Sequence, residues 1–399
     1  MVGRAPRNLA LSGLRLSLLV TFAHTVNDGF TNVLPVFLPT LQARFSLGEA
    51  VLAVAVAVIS TSSNVLQPFF GLFVDKWGRR RSAAIGLGVG SVLMGFVSVS
   101  PNLASLFFIL AFGGIGSAIF HPAAAAIART TGAPVGLSMS LFAAGGSVGT
   151  AIMPVVLLAV VRSAGTEYVP LLSLVGVLMA TLLFLLTPPY PAPVHPSGHK
   201  VFDPQLIRGP VGLLAGAGIM RAMAFITFTN AVPLYLANVR GFAPDAQVIG
   251  WTLSVYSFAS ASGGIIAGTL EHRFGRRLLV VGSMVLATPA LLAMMLVPVG
   301  TPVYYIAVAL GGLLTNASIP LLVMSAQDLA PNNVASASGM LMGFTWGIAG
   351  VVYIGFGAVQ QLVGLVPAML AGFAFLLPAA ALASFVLNRY VPRQERPLG

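Results

Sequence analysis

The sequence predicts an all-α integral membrane protein, with twelve transmembrane helices arranged as two parallel-repeat six-helix bundles. Three observations carry that expectation. Of the 399 residues, 57% are hydrophobic and only 7% are charged, whereas a soluble domain carries roughly 25% charged residues. So few charges cannot coat a water-facing surface, and the mean hydropathy of +0.95 agrees. Apolar runs of about 20 residues recur along the whole chain, each able to cross a hydrocarbon core of roughly 30 Å. Finally, three segments of the first half return in the same order in the second half.

The spans are expected near 15–41, 49–71, 82–100, 102–128, 135–161 and 167–187 in the first half. Those of the second half fall near 210–238, 247–270, 278–298, 302–325, 334–363 and 366–389. Glycine and proline within them are compatible with membrane helices, because neighbouring helices and waters satisfy the freed backbone groups. The first run does not read as a removable signal peptide. It contains His24, Asn27 and Asp28, and no small-residue cleavage pattern follows it.

The loops set the orientation. The net charge is +11, which raises a nucleic-acid reading, but the positions of the basic residues oppose it. Of the 20 Lys and Arg, 16 fall on the loops and tails of the N-terminal side, 3 (Arg44, Arg162, Arg240) on the other side, and Arg221 lies inside a span. That asymmetry is the positive-inside bias. It predicts a multi-pass protein of the cell (inner) membrane with both termini cytoplasmic, its partner being the lipid bilayer and not nucleic acid. A monomer is expected. The widest break, 188–208, contains six prolines and reads as a semi-rigid cytoplasmic linker between bundles at 1–187 and 209–399. Its His195 and His199 are separated by Pro196 and Gly198 and read as solvated loop residues. With no cysteine in the chain, disulfides and thiolate chemistry are excluded. No metal and no cofactor are expected.

The repeat is specific. FTNVLPVFL begins at Phe30 and FTNAVPLYL at Phe228, an offset of 198. GLFVDKWGRR begins at Gly71 and GTLEHRFGRR at Gly268, an offset of 197. Gly113-Gly114 and Pro122 match Gly311-Gly312 and Pro320, again at 198. Six spans per copy give both copies the same membrane orientation, and a site between two such halves near the midplane is a recurring transporter design.

Polar residues inside spans are costly and therefore informative. The third, sixth, ninth and twelfth spans hold no charged, His, Asn or Gln residue in their interiors and read as lipid-facing supports. The first span carries His24, Asp28 and Asn32 at i, i+4 and i+8, on one stripe. The second carries Ser60, Ser63, Asn64 and Gln67, the fourth Ser117 and His121, the seventh Arg221 and Asn230, and the tenth Thr315 and Asn316. A water-filled cavity lined by these helices explains the pattern, although amides such as Asn64, Gln67 and Asn316 serve equally well as interhelical hydrogen-bonding glue. Asp28, His24 and His121 are the candidates for proton coupling, since His titrates near neutrality and Asp28 lies one turn from His24. Arg221, Asn32, Asn64, Gln67, Asn230 and Asn316 are the candidates for substrate binding. Arg221 stays charged at physiological pH, so it needs a cavity, a partner such as Asp28, or a substrate anion.

GLFVDKWGRRR, between the second and third spans, resembles the loop motif of the major facilitator superfamily. The resemblance, with the repeat, covers the chain and implies two six-helix bundles rocking about a central site. It further implies a gating role for Gly71, Asp75, Gly78, Arg79 and Arg80, with Gly71 allowing close helix packing and Asp75 pairing to lock one conformation. In the second copy His272 stands at the Asp75 position beside Glu271. AHTVND, LQPFFGLFVDK, GSAIFHPAAAAIAR and GGSVGTAIMP are similar in order and spacing to the fosmidomycin-resistance subfamily of drug exporters. That similarity implies proton-driven export of a small antibiotic-like or anionic compound. One departure is Met153, which precedes Pro154 where antiporter-type fifth helices carry glycine.

Uptake of a small nutrient by proton symport is the competing transport reading. A membrane enzyme finds no support. No P-loop pattern occurs, Gly86, Gly88 and Gly90 sit within an apolar span, and no Ser-His-Asp grouping has the context of a nucleophile elbow.

Overall fold

The structure, a computed structural model, describes residues 10–189 and 204–391. The described residues contain no strand, and eleven helices are long and apolar enough to cross a membrane. They run Glu49–Gly71, Arg79–Val99, Leu103–Ala128, Val135–Ser163, Thr166–Leu186, Pro210–Asn238, Gln247–Phe274, Arg276–Leu296, Pro302–Leu329, Ser336–Val363 and Leu365–Arg389. These are the second to twelfth spans, in order. The expected first span is divided into two helices, Gly13–Thr31 and Leu34–Phe45. The break has a local cause. Pro35, in the first turn of the second piece, offers no N–H to the carbonyl of Thr31. At the break, Asn32 donates to the Asp28 carbonyl from both its backbone N–H, at 3.1 Å, and its side-chain amide, at 2.8 Å.

The motif loops confirm the repeat in their backbone. Helices ending at Trp77 and Phe274 are each followed by one glycine and then a new helix. Gly78 has φ +90° and Gly275 φ +79°. A side chain at either place would be strained, so glycine is what makes the sharp reversal possible. Other expectations about this loop change. Gly71 is approached within 4 Å only by Pro122, so it is not a tight packing point. Arg80 donates to the Thr187 carbonyl and stacks over Phe184, tying the third span to the sixth. The Asp75 side chain lies outside the described residues, as do 190–203 with His195 and His199. In the second copy, Glu271 accepts from Arg276 at 2.7 Å, and Arg276 also pairs with Asp328. That network joins the eighth, ninth and tenth spans and occupies the place where His272 breaks the motif.

The third span is not a lipid-facing support. Of its most apolar window, 61% is buried, against 28% for the sixth span. Gly86 and Gly90 meet Gly116 and Gly113 of the fourth span so closely that a Cβ on Gly116 would lie 2.6 Å from the Gly90 nitrogen. Small residues at such a crossing let membrane helices gain dispersion contacts that lipid tails do not supply.

The two halves meet at one end. Gly357, Gly350 and Gly347 of the eleventh span seat Ala53, Ser60 and Val65 of the second, leaving no room for a side chain. A Cβ on Gly250 of the eighth span would lie 3.0 Å from the Pro154 carbonyl of the fifth. Asn238 donates to Gln42 at 2.7 Å across the ends of the seventh and first spans. A Cβ on Gly136, Gly268 or Gly339, at the opposite ends of the fifth, eighth and eleventh spans, would meet nothing within 4 Å among the described residues. The molecule is therefore closed at the end away from the first and last helices' outer termini, and open at the end that carries them. A π-helical segment interrupts each of two facing spans, Thr61–Val65 in the second and Met340–Phe344 in the eleventh.

Candidate functional site

The polar stripe of the first span meets the fourth and fifth spans at a single cluster. His24 Nε2 lies 3.2 Å from Asp28 Oδ2, His121 Nε2 lies 3.2 Å from Asp28 Oδ1, and the two Nε2 atoms are 3.3 Å apart. The other ring nitrogens fix the chemistry. His24 Nδ1 is 2.7 Å from the Phe142 carbonyl, and His121 Nδ1 is 2.9 Å from the Ser117 carbonyl. A carbonyl oxygen only accepts, so the tautomer that satisfies both contacts carries its hydrogen on Nδ1, with Ser117 Oγ, 3.2 Å from His121 Nδ1, beside the shorter carbonyl contact. A neutral imidazole held that way presents a bare lone pair at Nε2. Two such lone pairs and a carboxylate are then three acceptors in mutual contact. The cluster holds together only with a proton or another cation among them.

Its surroundings keep it rigid. The His24 ring stacks on Phe142 with centroids 4.0 Å apart, and Asn27 donates to Asp28 Oδ1 at 3.0 Å and to Ser117 Oγ at 3.1 Å. Gly146 of the fifth span leaves the space the cluster fills. A Cβ there would lie 2.5 Å from Asp28 Oδ2 and 2.7 Å from His24 Nε2.

Asp28 also lines a cavity of about 470 Å³ between the halves. Gly146, Ser147 and Thr150 share its wall on the first half. Phe225, Ser257, Ser260, Asn316, Ile319 and Trp346 form the opposite wall. Arg221 stands behind that wall, only 2% exposed. Its guanidinium donates to Asn316 Oδ1 at 2.6 Å and lies 4.6 Å from the centre of the Trp346 ring. Among the described residues no Asp or Glu pairs with it. The Asp28–Arg221 pair suggested by sequence does not form, because the two histidines already hold Asp28. With Asn316 Oδ1 turned to accept from Arg221, the amide's Nδ2 is left as its donor.

The remaining amides lie elsewhere. Asn32, Asn64, Gln67 and Asn230 each donate to the carbonyl four residues earlier on their own helix. None is on the cavity wall in this conformation. Asn64 lies within the π-helical turn and Gln67 just after it, and they donate to the carbonyls of Ser60 and Ser63. Sequence reasoning passed over Phe225 and Trp346. Phe225 is four residues after Arg221 on the same helix and packs edge-on against Trp346 at 4.9 Å, so helical spacing from Arg221 points to it.

The family model described as Major Facilitator Superfamily matches residues 20–354. The chain is 26% identical over 389 residues to the uncharacterized MFS-type transporter YfnC of Bacillus subtilis (strain 168), covering 93% of this chain and 92% of the relative. It is 25% identical over 341 residues to the fosmidomycin resistance protein of Escherichia coli (strain K12), covering 83% of each. A bacterial homolog of the human lysosomal transporter Spinster, solved in an inward-facing and occupied conformation, superposes with a TM-score of 0.76 at 16% identity, over 96% of this chain and 98% of that one. The likeness to that structure bears on the fold alone. By fold and by family match, this chain is a multi-pass secondary transporter, not an enzyme, and belongs to the major facilitator superfamily.

Proposed function

We propose that the chain is a proton-coupled exporter of a small anionic or amphipathic compound, working by alternating access. One observation carries this reading: a cluster that must hold a cation and an Arg-backed amide donor face each other across one cavity. Asp28, His24 and His121 exchange protons with the cavity. Asn316 Nδ2 receives an anionic oxygen, with the charge of Arg221 behind it, and Trp346 and Phe225 cover the apolar part of the compound. The name of the Escherichia coli relative supports an antibiotic-like substrate. Residues 1–187 and 209–399 rock as the two units about this cavity, joined by 188–208, in a monomer.

Proton flux in reconstituted vesicles, measured against a panel of small anions, tests the proposal. Export drives protons inward as substrate leaves. Protons and substrate moving in the same direction would establish uptake symport instead, and substrate movement with no proton movement would remove the coupling role from Asp28.

The orientation is tested separately. The 16-to-3 distribution of basic residues supports a cytoplasmic 188–208 segment and cytoplasmic termini in the cell membrane. The chain has no cysteine, so Ser197→Cys introduces the sole thiol. It is expected to resist an impermeant maleimide in intact cells and to react after permeabilisation. Labelling from outside would reverse the topology.

A further inference from the structure

We propose that His24, Asp28 and His121 form a binding site for a divalent transition-metal ion of the zinc class. The inference rests on donor geometry and on no assumption about proton coupling or the direction of transport. The three donor groups lie within 4.8 Å of one another. The two imidazole Nε2 atoms are 3.3 Å apart, close to the edge of about 3.3–3.4 Å of a tetrahedron about an ion bonded at about 2.0–2.1 Å, and each lies 3.2 Å from a different oxygen of the Asp28 carboxylate, so Asp28 completes a three-donor set through one of those two oxygens. The donor set, two imidazoles and one carboxylate, suits zinc, nickel or cobalt better than magnesium or calcium, which prefer all-oxygen shells.

Two independent features prepare the site. Each imidazole donates its Nδ1 hydrogen to a backbone carbonyl, Phe142 for His24 and Ser117 for His121. That is the outer-shell arrangement that aims the other nitrogen at a metal and fixes its tautomer. The absent side chain of Gly146 leaves room where any Cβ would crowd both His24 and Asp28. Because Asp28 lines the cavity, the fourth position opens onto it, where a water or an anion completes the shell. Two neutral imidazoles, one carboxylate and a dication give a net charge of +1. The ion takes the place that a proton holds in the transport reading, so zinc is expected to block proton-coupled transport.

The test uses the full-length chain in lipid nanodiscs, with metal alone. Cobalt(II) is expected to give the visible absorption of a four-coordinate site at one equivalent per chain, displaced by zinc. His121→Gln and Asp28→Asn should each weaken zinc binding by at least about tenfold, a lower bound taken from the loss seen when only outer-shell partners are removed. Replacing His195 and His199 with alanine should leave affinity unchanged. Equal zinc affinity in the wild type and both cluster variants, or loss of binding in the His195/His199 variant, overturns the proposal. Wild-type protein provides a second measurement that needs no variant. Saturating zinc should protect His24 and His121 from diethyl pyrocarbonate, read by peptide mass. Undiminished modification of both overturns the site. Proton flux measured under chelation is a separate experiment: its absence alongside intact zinc binding defeats the coupling reading and leaves the metal site standing.

Discussion

Asp28→Asn is expected to abolish concentrative, proton-driven transport while leaving substrate binding measurable. The substitution keeps the side chain's size and removes its charge. In the wild type the carboxylate faces two imidazoles whose Nδ1 hydrogens are already committed to carbonyls, so bridging protons belong to the cluster as a whole. Asparagine supplies its own N–H to one Nε2, and its amide group does not titrate at physiological pH. The cation requirement disappears with the carboxylate. The opposite wall, with Asn316 and Trp346, is untouched. Uptake into everted vesicles driven by a pH gradient should fall to background, while binding measured at equilibrium persists. Intact proton-driven transport in this variant would move the coupling role elsewhere.

Arg221→Ala is expected to remove most of the affinity for an anionic substrate and, unlike most deletions of a buried side chain, to leave the protein at least as stable. The guanidinium is buried with an amide and an aromatic face as neighbours and no carboxylate among the described residues. A buried charge without a counter-ion costs several kcal/mol that such contacts offset only in part. Losing the charge also frees Asn316 to turn, so the Nδ2 donor is no longer aimed by its partner. A hydrogen bond to a charged group is worth about 1.5–3 kcal/mol, which corresponds to a loss of about 10–150-fold in affinity. Arg221→Lys keeps the charge and loses the planar fork, so an intermediate loss is expected. A neutral substrate should be affected less. Equilibrium binding and thermal unfolding on the same samples check both halves of this prediction. Unchanged affinity for every anion, with lower stability, would make Arg221 a purely structural residue.

Much of the fold was legible because its causes are local. Apolar run length, the side distribution of Arg and Lys, and the 197–198 offset each survive without any tertiary knowledge. The stripe of His24 and Asp28 on one helix face was readable for the same reason. What periodicity could not supply was the third dimension. His121 comes from another span, and only the packing of the fourth span on the first brings it to Asp28, so the metal-like spacing of the cluster leaves no trace in sequence separation. Arg221 was correctly placed inside a span, but its position behind Asn316 and Trp346 depends on contacts with the tenth and eleventh spans. The third span was misjudged because glycine counts as neither polar nor lipid-seeking, yet Gly86 and Gly90 are what draw it inward.

The closed end of the molecule has an energetic consequence. Gly347, Gly350 and Gly357 press bare backbone against side chains of the other half, whereas a Cβ on Gly136, Gly268 or Gly339 at the open end would meet nothing within 4 Å among the described residues. A methyl group added at one of these three positions is therefore expected to raise the free energy of this conformation relative to one in which the seam is parted, as the proposed alternating access requires. By population-shift reasoning, a differential of about 1.4 kcal/mol moves the ratio of the two states tenfold. The glycine seam thus works as a set of adjustable weights on the conformational equilibrium, and Gly357, three turns beyond Trp346 on the same helix, is the one set furthest from the cavity wall.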